Sequence, residues 1–576
     1  MHVLFLCYAA SALLWPVVAL WPAPRSMSNG TGVVRLAESF EIVVAESLPE
    51  GVPSDLRAAI ERAAAQLEID NFQLLIPGRG ESDRAVVEKA LVLTRLELSL
   101  SSSAGPLLSV AEETYKFYED KDESYTLSIP STPGDGVGAA PSNSSPLASL
   151  TANTTLGLVR GLQTFTQLVY TLPGVGFERY ILGVPLLIDD EPAFPHRGFM
   201  LDTSRNFYPI DDILRTLDTM ASVKLSTFHW HATDSQSWPL FIPTFPNLTD
   251  FGAYSPAETY DWEDVYRVQE YAAGLGISVM LEIDMPGHTA SIFNSFPEHI
   301  ACFETTPWAA YAAEPPAGQL RLGNEATLKF AQEIVKSAMS MTKAPYFSTG
   351  GDEVNEACYS QDSLVSTILT RRNTTVKALL DAFVSGLHGT VREAGKTPVV
   401  WEEMVLDFEL PLRNDTIVLV WKTSDNVAAV AEKGYRIIHA ASDYFYLDCG
   451  MGGWLGNNVG GNSWCDPFKN WQKTYSFDPF ANLTADQQTL VLGGQALLWS
   501  EQASPENLDS LAWPRAAAAA EVFWTGGAVE LGERDVAEAL PRLHDWRYRA
   551  VARGVKAAPL QPHYCALRPQ VCNRDA

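Results

Sequence analysis

The segment "ISVMLEIDMPGH", Ile277–His288, indicates the fold of the larger part of the chain. Its first half is apolar, as in a strand that is buried on both faces, and its second half becomes polar at Asp284 and His288. Seven further segments also begin with an apolar run and end in polar or aromatic residues, and helical patterns separate most of them. Eight strands that alternate with helices predict the α/β class and a (β/α)8 TIM barrel. The eight segments begin at Gly198, Leu225, Ile277, Tyr346, Pro398, Ile417, Tyr435 and Val491.

The chain before the barrel has a mixed pattern. "FEIVVAE" and "ALVLTRLELSL" are typical of strands, and "PSDLRAAIERAAAQLE" is typical of a helix. No cluster of reactive side chains occurs there, so we predict a small, non-catalytic α+β domain. The predicted division is a signal peptide at 1–19, the α+β domain at 20–190, the catalytic barrel at 191–555 and a disulfide-bearing C-terminal tail at 556–576.

The N-terminus and the charge predict the cellular location. An apolar run from Val3 to Leu20 ends in the small-residue site Val17-Val18-Ala19, as in a signal peptide, and Pro16 interrupts it. The formal net charge of -28 repels nucleic-acid phosphates and anionic lipid. We therefore expect a secreted, extracellular protein, with or without attachment to the cell wall, and neither a nucleic acid nor a membrane as partner.

The cysteines and the sequons agree with secretion. Of seven cysteines, Cys7 lies in the predicted signal peptide, and the remaining six form three disulfides if the nearest ones pair: Cys449–Cys465, Cys565–Cys572 and then Cys302–Cys358. Free buried thiols are the alternative, whereas a zinc site is disfavoured because no Cys-x-x-Cys occurs. Glycosylation is predicted at the sequons of Asn29, Asn143, Asn153, Asn247, Asn373, Asn414 and Asn482.

Reactive side chains cluster where the predicted strands end, which is where barrel enzymes place their active sites. Carboxylates, arginines and aromatic rings occur together there, a mixture that suits a sugar, because pyranose faces stack on rings and hydroxyls need directed polar partners. A carboxylic acid beside the glycosidic oxygen would complete a hydrolase. The side chains are Arg197, Asp202, Arg205, His229, His231, Asp234, His288, Asp352, Glu353, Trp401, Glu402, Trp421, Tyr446, Asp448, Trp499 and Glu501.

Several of these residues have structural interpretations as well. Trp401 and Trp421 fit a barrel core, Asp202 fits a structural ion pair with Arg205 under the barrel, and the histidines of "HWH" fit buried, hydrogen-bonded core residues. "HWH" also resembles the metal site of a barrel hydrolase. Later strands offer only His439, in mid-strand, as a further histidine ligand, so no metal and no cofactor are predicted.

Five motifs in order resemble the family 20 glycoside hydrolases, the β-N-acetylhexosaminidases, and "SDYFYLDCGMGGW" and "LWPAP" are most similar to the secreted fungal members. The five are "FPHRGFMLDTSR", "FHWHATDSQSWP", "EIDMPGHT", "GGDEVN" and "WPRAAAAAEVFW". The resemblance covers nearly the whole chain and implies that the first domain is zincin-like. It implies hydrolysis of terminal N-acetylglucosamine or N-acetylgalactosamine from chito-oligosaccharides and glycans, without a cofactor. It also implies a homodimer.

The resemblance implies a role for each site residue. Glu353 is the general acid/base, and Asp352 orients the substrate's 2-acetamido group, whose carbonyl oxygen attacks the anomeric carbon and forms an oxazolinium ion. The implied sugar contacts are Arg197 to the 3- and 4-hydroxyls, Tyr446 to the acetamide oxygen, and Asp448 and Glu501 to the 4- and 6-hydroxyls. Trp401, Trp421 and Trp499 surround the acetamide, and Asp234 and His288 support the acid.

One departure from the family pattern lies beside the catalytic motif. Ser348 and Thr349 precede "GGDE", where many members carry a histidine, and we expect a small effect on packing without a change of chemistry. Two other function classes stay open at this stage. One is a catalytically silent sugar-binding homologue, and the other is a metal-dependent barrel hydrolase.

Overall fold

The structure is a computed structural model that describes residues 19–46, 51–102, 105–131, 147–174, 178–526 and 534–574. Nearly all of the predicted signal peptide and the sequon at Asn143 lie outside the described residues. Within them, one hydrophobic core fills the barrel and its helices, and separate cores lie in the domain that precedes it.

The first domain is a six-stranded mixed sheet that packs against helices. Helix α1 presents Leu56, Ala59, Ala63 and Leu67 to the core at helical spacing, as the sequence pattern predicts. The sheet order is β1-β2-β4-β3-β6-β5, and β1 pairs with β6 as well. The strands are β1 (Ser26–Val44), β2 (Leu91–Leu100), β3 (Tyr125–Ile129), β4 (Leu147–Ala152), β5 (Tyr170–Thr171) and β6 (Arg179–Asp190), and the helices are α1 (Ser54–Ile69), α2 (Arg84–Val87), α3 (Val110–Thr114) and α4 (Thr155–Gln167).

Eight parallel strands then close into a barrel in chain order, which confirms the predicted fold. Each strand begins within two residues of the start of its predicted segment. A two-stranded sheet, β10 (Ile300–Ala301) with β11 (Gln319–Leu320), lies in the long connection after the third barrel strand. The barrel strands are β7 (His196–Asp202), β8 (Thr227–His231), β9 (Ser278–Glu282), β12 (Tyr346–Ser348), β13 (Thr397–Trp401), β14 (Ile417–Val420), β15 (Arg436–His439) and β16 (Val491–Leu498).

Helices between and after these strands surround the barrel, and short ones lie in the connections. They are α5 (Ile210–Ser222), α6 (Asn247–Gly252), α7 (Trp262–Gly274), α8 (Glu325–Ser340), α9 (Glu356–Gln361), α10 (Ser363–Arg372), α11 (Val376–Glu393), α12 (Glu403–Leu406), α13 (Val427–Glu432), α14 (Ser442–Phe445), α15 (Trp471–Tyr475), α16 (Ala485–Gln488), α17 (Leu508–Ala512), α18 (Arg515–Thr525), α19 (Val536–Ala552) and α20 (His563–Ala566). None of the helices in the described ranges is long and apolar enough to span a bilayer.

The first domain covers the N-terminal ends of the barrel strands. Tyr118 stacks on Tyr346 at 4.2 Å between ring centroids, and its hydroxyl is hydrogen-bonded to His196 Nδ1 at 2.6 Å. Glu123 forms buried ion pairs with Arg197 and Arg160 at 2.7 and 2.6 Å. Only the opposite, carboxyl end of the barrel is therefore left for a substrate.

The structure contains the disulfides Cys302–Cys358, Cys449–Cys465 and Cys565–Cys572. The first joins the connection after β9 to helix α9, directly behind the "GGDEVN" loop. The second closes the loop that follows Asp448. Two of the three bonds therefore brace connections at the carboxyl end of the barrel.

Candidate active site

A cavity of about 640 Å³ opens at the carboxyl ends of the barrel strands. This volume lies within the roughly 300–1,000 Å³ that small-molecule sites occupy. Nine residues that the sequence analysis listed at strand ends line it, and they come from six different connections. They are Arg205, His288, Asp352, Glu353, Trp421, Tyr446, Asp448, Trp499 and Glu501.

The loop after β12 brings two adjacent carboxylates into this cavity. Gly350 and Gly351 adopt φ of 62° and 102°, and a Cβ on Gly350 would lie 2.0 Å from Asp284 Oδ1, so only glycine fits there. Glu353 itself has φ of 51°, a left-handed conformation that is uncommon for a residue with a side chain. Because the chain no longer alternates as a strand here, Asp352 and Glu353 both line the cavity.

His288 connects Glu353 to Asp234. Its Nδ1 lies 3.1 Å from Asp234 Oδ1, and its Nε2 lies 3.2 Å from Glu353 Oε2. Burial lowers the pKa of His288, but Asp234 and Asp352 outweigh this effect and hold the pKa well above its usual value. The imidazolium therefore donates to a carboxylate on each side, and it too has a left-handed backbone, with φ of 49°.

Asp352 is paired with a second buried carboxyl, Asp284. A carboxylate oxygen of Asp284 and one of Asp352 lie within 4.8 Å of each other, and Asp284 Oδ1 also accepts from Gly351 N at 2.6 Å. Burial and then the charge of Asp284 raise the pKa of Asp352 well above its usual value, and burial raises the pKa of Asp284 to about 7. Both carboxyls of this pair therefore have raised pKa values.

Aromatic rings form one wall of the cavity. The rings of Trp421 and Tyr446 are nearly parallel at 6.1 Å, and Trp499 lies 6.2 Å from Tyr446. The indole of Trp421 donates to Glu403 Oε2 at 2.9 Å, which fixes the plane of the ring. Trp464 meets both Trp421 and Tyr446 edge-on and is 66% exposed, so it forms the outer edge of this wall.

Arg205, not Arg197, is the arginine of the cavity. Arg205 follows the carboxyl end of β7 and pairs with Asp202, Asp234 and Glu314 at 3.2, 3.0 and 2.6 Å. Arg197 lies at the opposite end of the same strand, fully buried against Glu123 of the first domain. The assignment of Arg197 to the sugar is therefore wrong, and so is the prediction that the Asp202–Arg205 pair lies under the barrel.

Two other predicted site residues lie behind the cavity rather than in its lining. Asp234 is fully buried and contacts His288, His231 and Arg205. Trp401 is fully buried at the end of β13, with its ring centroid 6.1 Å from that of Trp499.

The sequence did not single out several residues that line or support the cavity. Asp284 stands in the motif "EIDMPGHT", two residues after the end of β9, and Glu403 directly follows Glu402. The others lie in long connections whose course no short-range pattern predicts. They are Glu314, Trp454 and Trp464, whereas Gln502 lies only four residues after the end of β16.

The histidines of "HWH" have no free ring nitrogen. His229 is hydrogen-bonded to Glu282 and Gln495, and His231 to Glu282 and Asp234. Three groups in the described ranges have metal-ligand spacing: two include His288, and the third joins Asp448 to the disulfide-bonded Cys449 and Cys465. A protonated imidazole is not a ligand, so these contacts favour the hydrogen-bonded interpretation of the histidines.

Comparisons with known proteins agree with this site. The model described as "Glycosyl hydrolase family 20, catalytic domain" matches residues 194–527, and the model described as "beta-acetyl hexosaminidase like" matches residues 20–168. A "Beta-hexosaminidase" of Arthroderma benhamiae is 38% identical over 443 residues, which cover 73% of this chain and 72% of that protein. The "Chitooligosaccharidolytic beta-N-acetylglucosaminidase" of Bombyx mori is 33% identical and covers 88% of this chain and 86% of that protein.

Solved structures share the fold. The Vibrio harveyi exo β-N-acetylglucosaminidase of family 20, in complex with N-acetylglucosamine, has a TM-score of 0.72 at 20% identity, covering 94% of this chain and 78% of that chain. The Streptomyces plicatus N-acetyl-β-hexosaminidase has a TM-score of 0.68 at 24% identity, covering 95% and 98%. Together with the matched family model, these likenesses establish that the chain belongs to glycosyl hydrolase family 20.

Proposed function

We propose that this protein is a retaining exo-β-N-acetylhexosaminidase that removes terminal, non-reducing N-acetylglucosamine or N-acetylgalactosamine from chito-oligosaccharides and glycans. The observation that carries the proposal is that Asp352 and Glu353, adjacent on one loop, both line the same cavity. Neighbouring side chains on one loop cannot flank a glycosidic bond from opposite faces, as an acid and a protein nucleophile must. The nucleophile is then the substrate's own acetamide oxygen.

Glu353 supplies the proton chemistry in this proposal. Its carboxyl protonates the leaving oxygen, and the resulting carboxylate then takes a proton from the water that opens the oxazolinium ring. Asp352, as carboxylate, accepts the acetamide N–H and stabilises the positive charge that develops on the acetamide. In that state a proton of the pair lies on Asp284, whose pKa burial raises to about 7.

The rest of the cavity holds the sugar. We assign the 3- and 4-hydroxyls to the guanidinium of Arg205, and the 4- and 6-hydroxyls to Asp448 and Glu501. Tyr446 donates to the acetamide oxygen, and the rings of Trp421 and Trp499 enclose the acetamide methyl and the sugar face. All of these except Arg205 have the role that the resemblance implies.

The decisive experiment is Glu353→Gln, assayed on an aryl β-N-acetylglucosaminide. We expect kcat to fall by about 10²–10⁴-fold, the usual contribution of a general acid, and a thiazoline mimic of the oxazolinium ion to inhibit the unmodified enzyme competitively. Glu356→Gln is the matched control, because Glu356 is exposed on α9, three residues away. Full activity of Glu353→Gln would reject the assignment of the acid.

The same assays separate the alternatives. A silent sugar-binding homologue would bind chito-oligosaccharides without turnover by the unmodified protein. A metal-dependent hydrolase would lose activity on chelation. The relative rates on the aryl β-glycosides of N-acetylglucosamine and N-acetylgalactosamine measure which of the two sugars the enzyme prefers.

We infer that the protein is secreted and glycosylated and forms a homodimer. The disulfides support an oxidising compartment. Six of the seven sequon asparagines, all but Asn143, are exposed in the structure and accessible to a glycan. Analytical ultracentrifugation of the secreted protein, before and after glycan removal, tests both the mass of the glycans and the dimer.

A further inference from the structure

A continuous hydrogen-bonded chain runs from the barrel interior to Glu353. Glu282, at the end of β9, contacts His231 Nδ1 through Oε1 at 2.6 Å, and His231 Nε2 contacts Asp234 Oδ2 at 2.9 Å. Asp234 Oδ1 in turn contacts His288 Nδ1 at 3.1 Å, and His288 Nε2 contacts Glu353 Oε2 at 3.2 Å. Carboxylates and imidazoles therefore alternate over five residues from three connections.

We propose that His231 and Glu282 are positioning residues for catalysis: they hold Asp234, and through it His288, in contact with Glu353. This inference rests on the proposed role of Glu353 as the acid. It goes beyond that role because neither His231 nor Glu282 lines the cavity; both are buried and act only through the chain.

The contacts of His231 require that the ring be an imidazolium. Each of its nitrogens faces a carboxylate oxygen, and only the doubly protonated ring donates from both nitrogens. Burial lowers the pKa of His231, but its hydrogen bonds to Asp234 and Glu282 outweigh that effect and raise the pKa to about 10. The ring is thus a fixed cation and leaves Asp234 no freedom to rotate away from His288.

Glu282 fixes the end of the hydrogen-bonded chain that lies in the barrel interior. Besides His231 it accepts from His229 Nε2 at 3.1 Å and from the hydroxyl of Ser348. Ser348 is one of the two residues that precede "GGDE", and it ends the strand β12 that leads into the catalytic loop. Through Ser348, Glu282 is therefore fixed to the strand that carries the loop of Glu353.

Other charged groups also face the chain and contribute to its electrostatics. Arg205 pairs with Asp234 at 3.0 Å, and Asp352 lies 3.9 Å from His288 Nε2. The ring of Trp499 covers His231 edge-on at 4.9 Å, and Asp202 lies near enough to raise the pKa of His231. All of these groups are present in the variants below, so a change in the pH profile reports the loss of the hydrogen-bonded chain.

The test is the pH dependence of kcat/KM for His231→Gln and Glu282→Gln on an aryl β-N-acetylglucosaminide. His231→Gln removes a cation and Glu282→Gln releases the ring that holds Asp234. Either change weakens the contact of the His288 cation with Glu353, so the alkaline limb should move to higher pH. We expect kcat to fall at least about tenfold, which is part of the roughly 10²–10⁴-fold that general acid–base catalysis contributes, with KM changed much less. His439→Gln is the control, since His439 is equally buried in β15 but contacts Pro479 O and no member of the hydrogen-bonded chain.

A measurement on the unmodified enzyme covers the case in which the variants fail to fold. With ¹⁵N-labelled histidine, both ring nitrogens of His231 should give imidazolium shifts throughout pH 5–8. A neutral tautomer of His231 in this range overturns the proposal, and so do variants with an unchanged pH profile and kcat. If the unmodified enzyme instead fails to hydrolyse the substrate, the proposed function fails, while the ¹⁵N shifts still report whether the chain exists.

Discussion

Arg197 and Arg205 lie at opposite ends of strand β7, and they have opposite surroundings. Arg197 is shielded from solvent by the first domain and neutralised by Glu123. Arg205 lines the cavity, where its guanidinium lies 5.0 Å from the ring of Trp499. Asp202, at the end of the strand, accepts from the backbone N–H of Arg205 at 3.1 Å and also pairs with its side chain. One end of the strand thus carries an arginine that joins the two domains, and the other end leads to an arginine that lines the cavity.

The first prediction follows from this separation. Arg205→Lys keeps the charge but loses the planar fork that bonds two hydroxyls at once. Each charge-assisted hydrogen bond lost costs about 1.5–3 kcal/mol, or roughly ten- to a hundredfold in kcat/KM. Arg197→Lys should leave kcat/KM of the folded enzyme unchanged and lower its unfolding temperature. Steady-state kinetics and thermal unfolding of the two variants measure this, and the reverse outcome would restore Arg197 to the sugar site.

The second prediction concerns the Asp284–Asp352 pair. Asp352 must be ionised to accept the acetamide N–H, and the neighbouring charge of Asp284 raises the pKa of Asp352. In Asp284→Asn that charge is absent, so the pKa of Asp352 falls and the acidic limb of kcat/KM should move to lower pH. The pH profile on an aryl β-N-acetylglucosaminide is the measurement. An unmoved acidic limb would show that the two carboxyls do not titrate together.

The third prediction concerns Trp464 at the outer edge of the aromatic wall. A ring that is 66% exposed beside the cavity is placed to stack on the sugar that leaves, not on the one that is cleaved off. Stacking of this kind contributes about 0.5–1.5 kcal/mol, so Trp464→Ala should raise KM for chitobiose several-fold with little change in kcat. Trp262→Ala is the control, because Trp262 is 54% exposed on α7, away from the cavity. Equal KM values in the two variants would contradict this role.

The strands and most of the site could be predicted because both follow local rules. Apolar runs that end in polar residues mark parallel strands, and the carboxyl ends of such strands meet at one edge, so His288, Asp352, Trp421 and Glu501 were found together. The same rule, applied strictly, distinguishes the two arginines: Arg197 lies at the N-terminal end of β7, where a barrel residue serves stability, whereas Arg205 follows the carboxyl end.

The remaining residues could not be predicted, since their positions depend on long-range packing. Glu314 and Trp464 lie in long connections that pass over the barrel end, and no spacing in the sequence relates them to the strands. The pairing of Asp284 with Asp352 depends on the close approach of two loops at Gly350. The need for glycine at this position becomes visible only in the folded backbone. Likewise, burial of Glu123 between two arginines depends on the docking of two domains that are separate in sequence.

That docking leads to the last prediction, which concerns stability at low pH. Burial raises the pKa of Glu123, but Arg197 and Arg160 outweigh it and hold the pKa at about 2, against an ordinary value of 4.5. Because the folded pKa is the lower one, the stabilising contribution is complete above about pH 4.5 and is lost as the pH falls toward 2. Glu123→Gln leaves two buried guanidiniums without their counterion and should cost about 3–5 kcal/mol at neutral pH. Urea unfolding between pH 7 and 3 should show that the difference between the unmodified protein and this variant shrinks with acid. A difference that stays constant down to pH 3 would mean that other groups account for the loss.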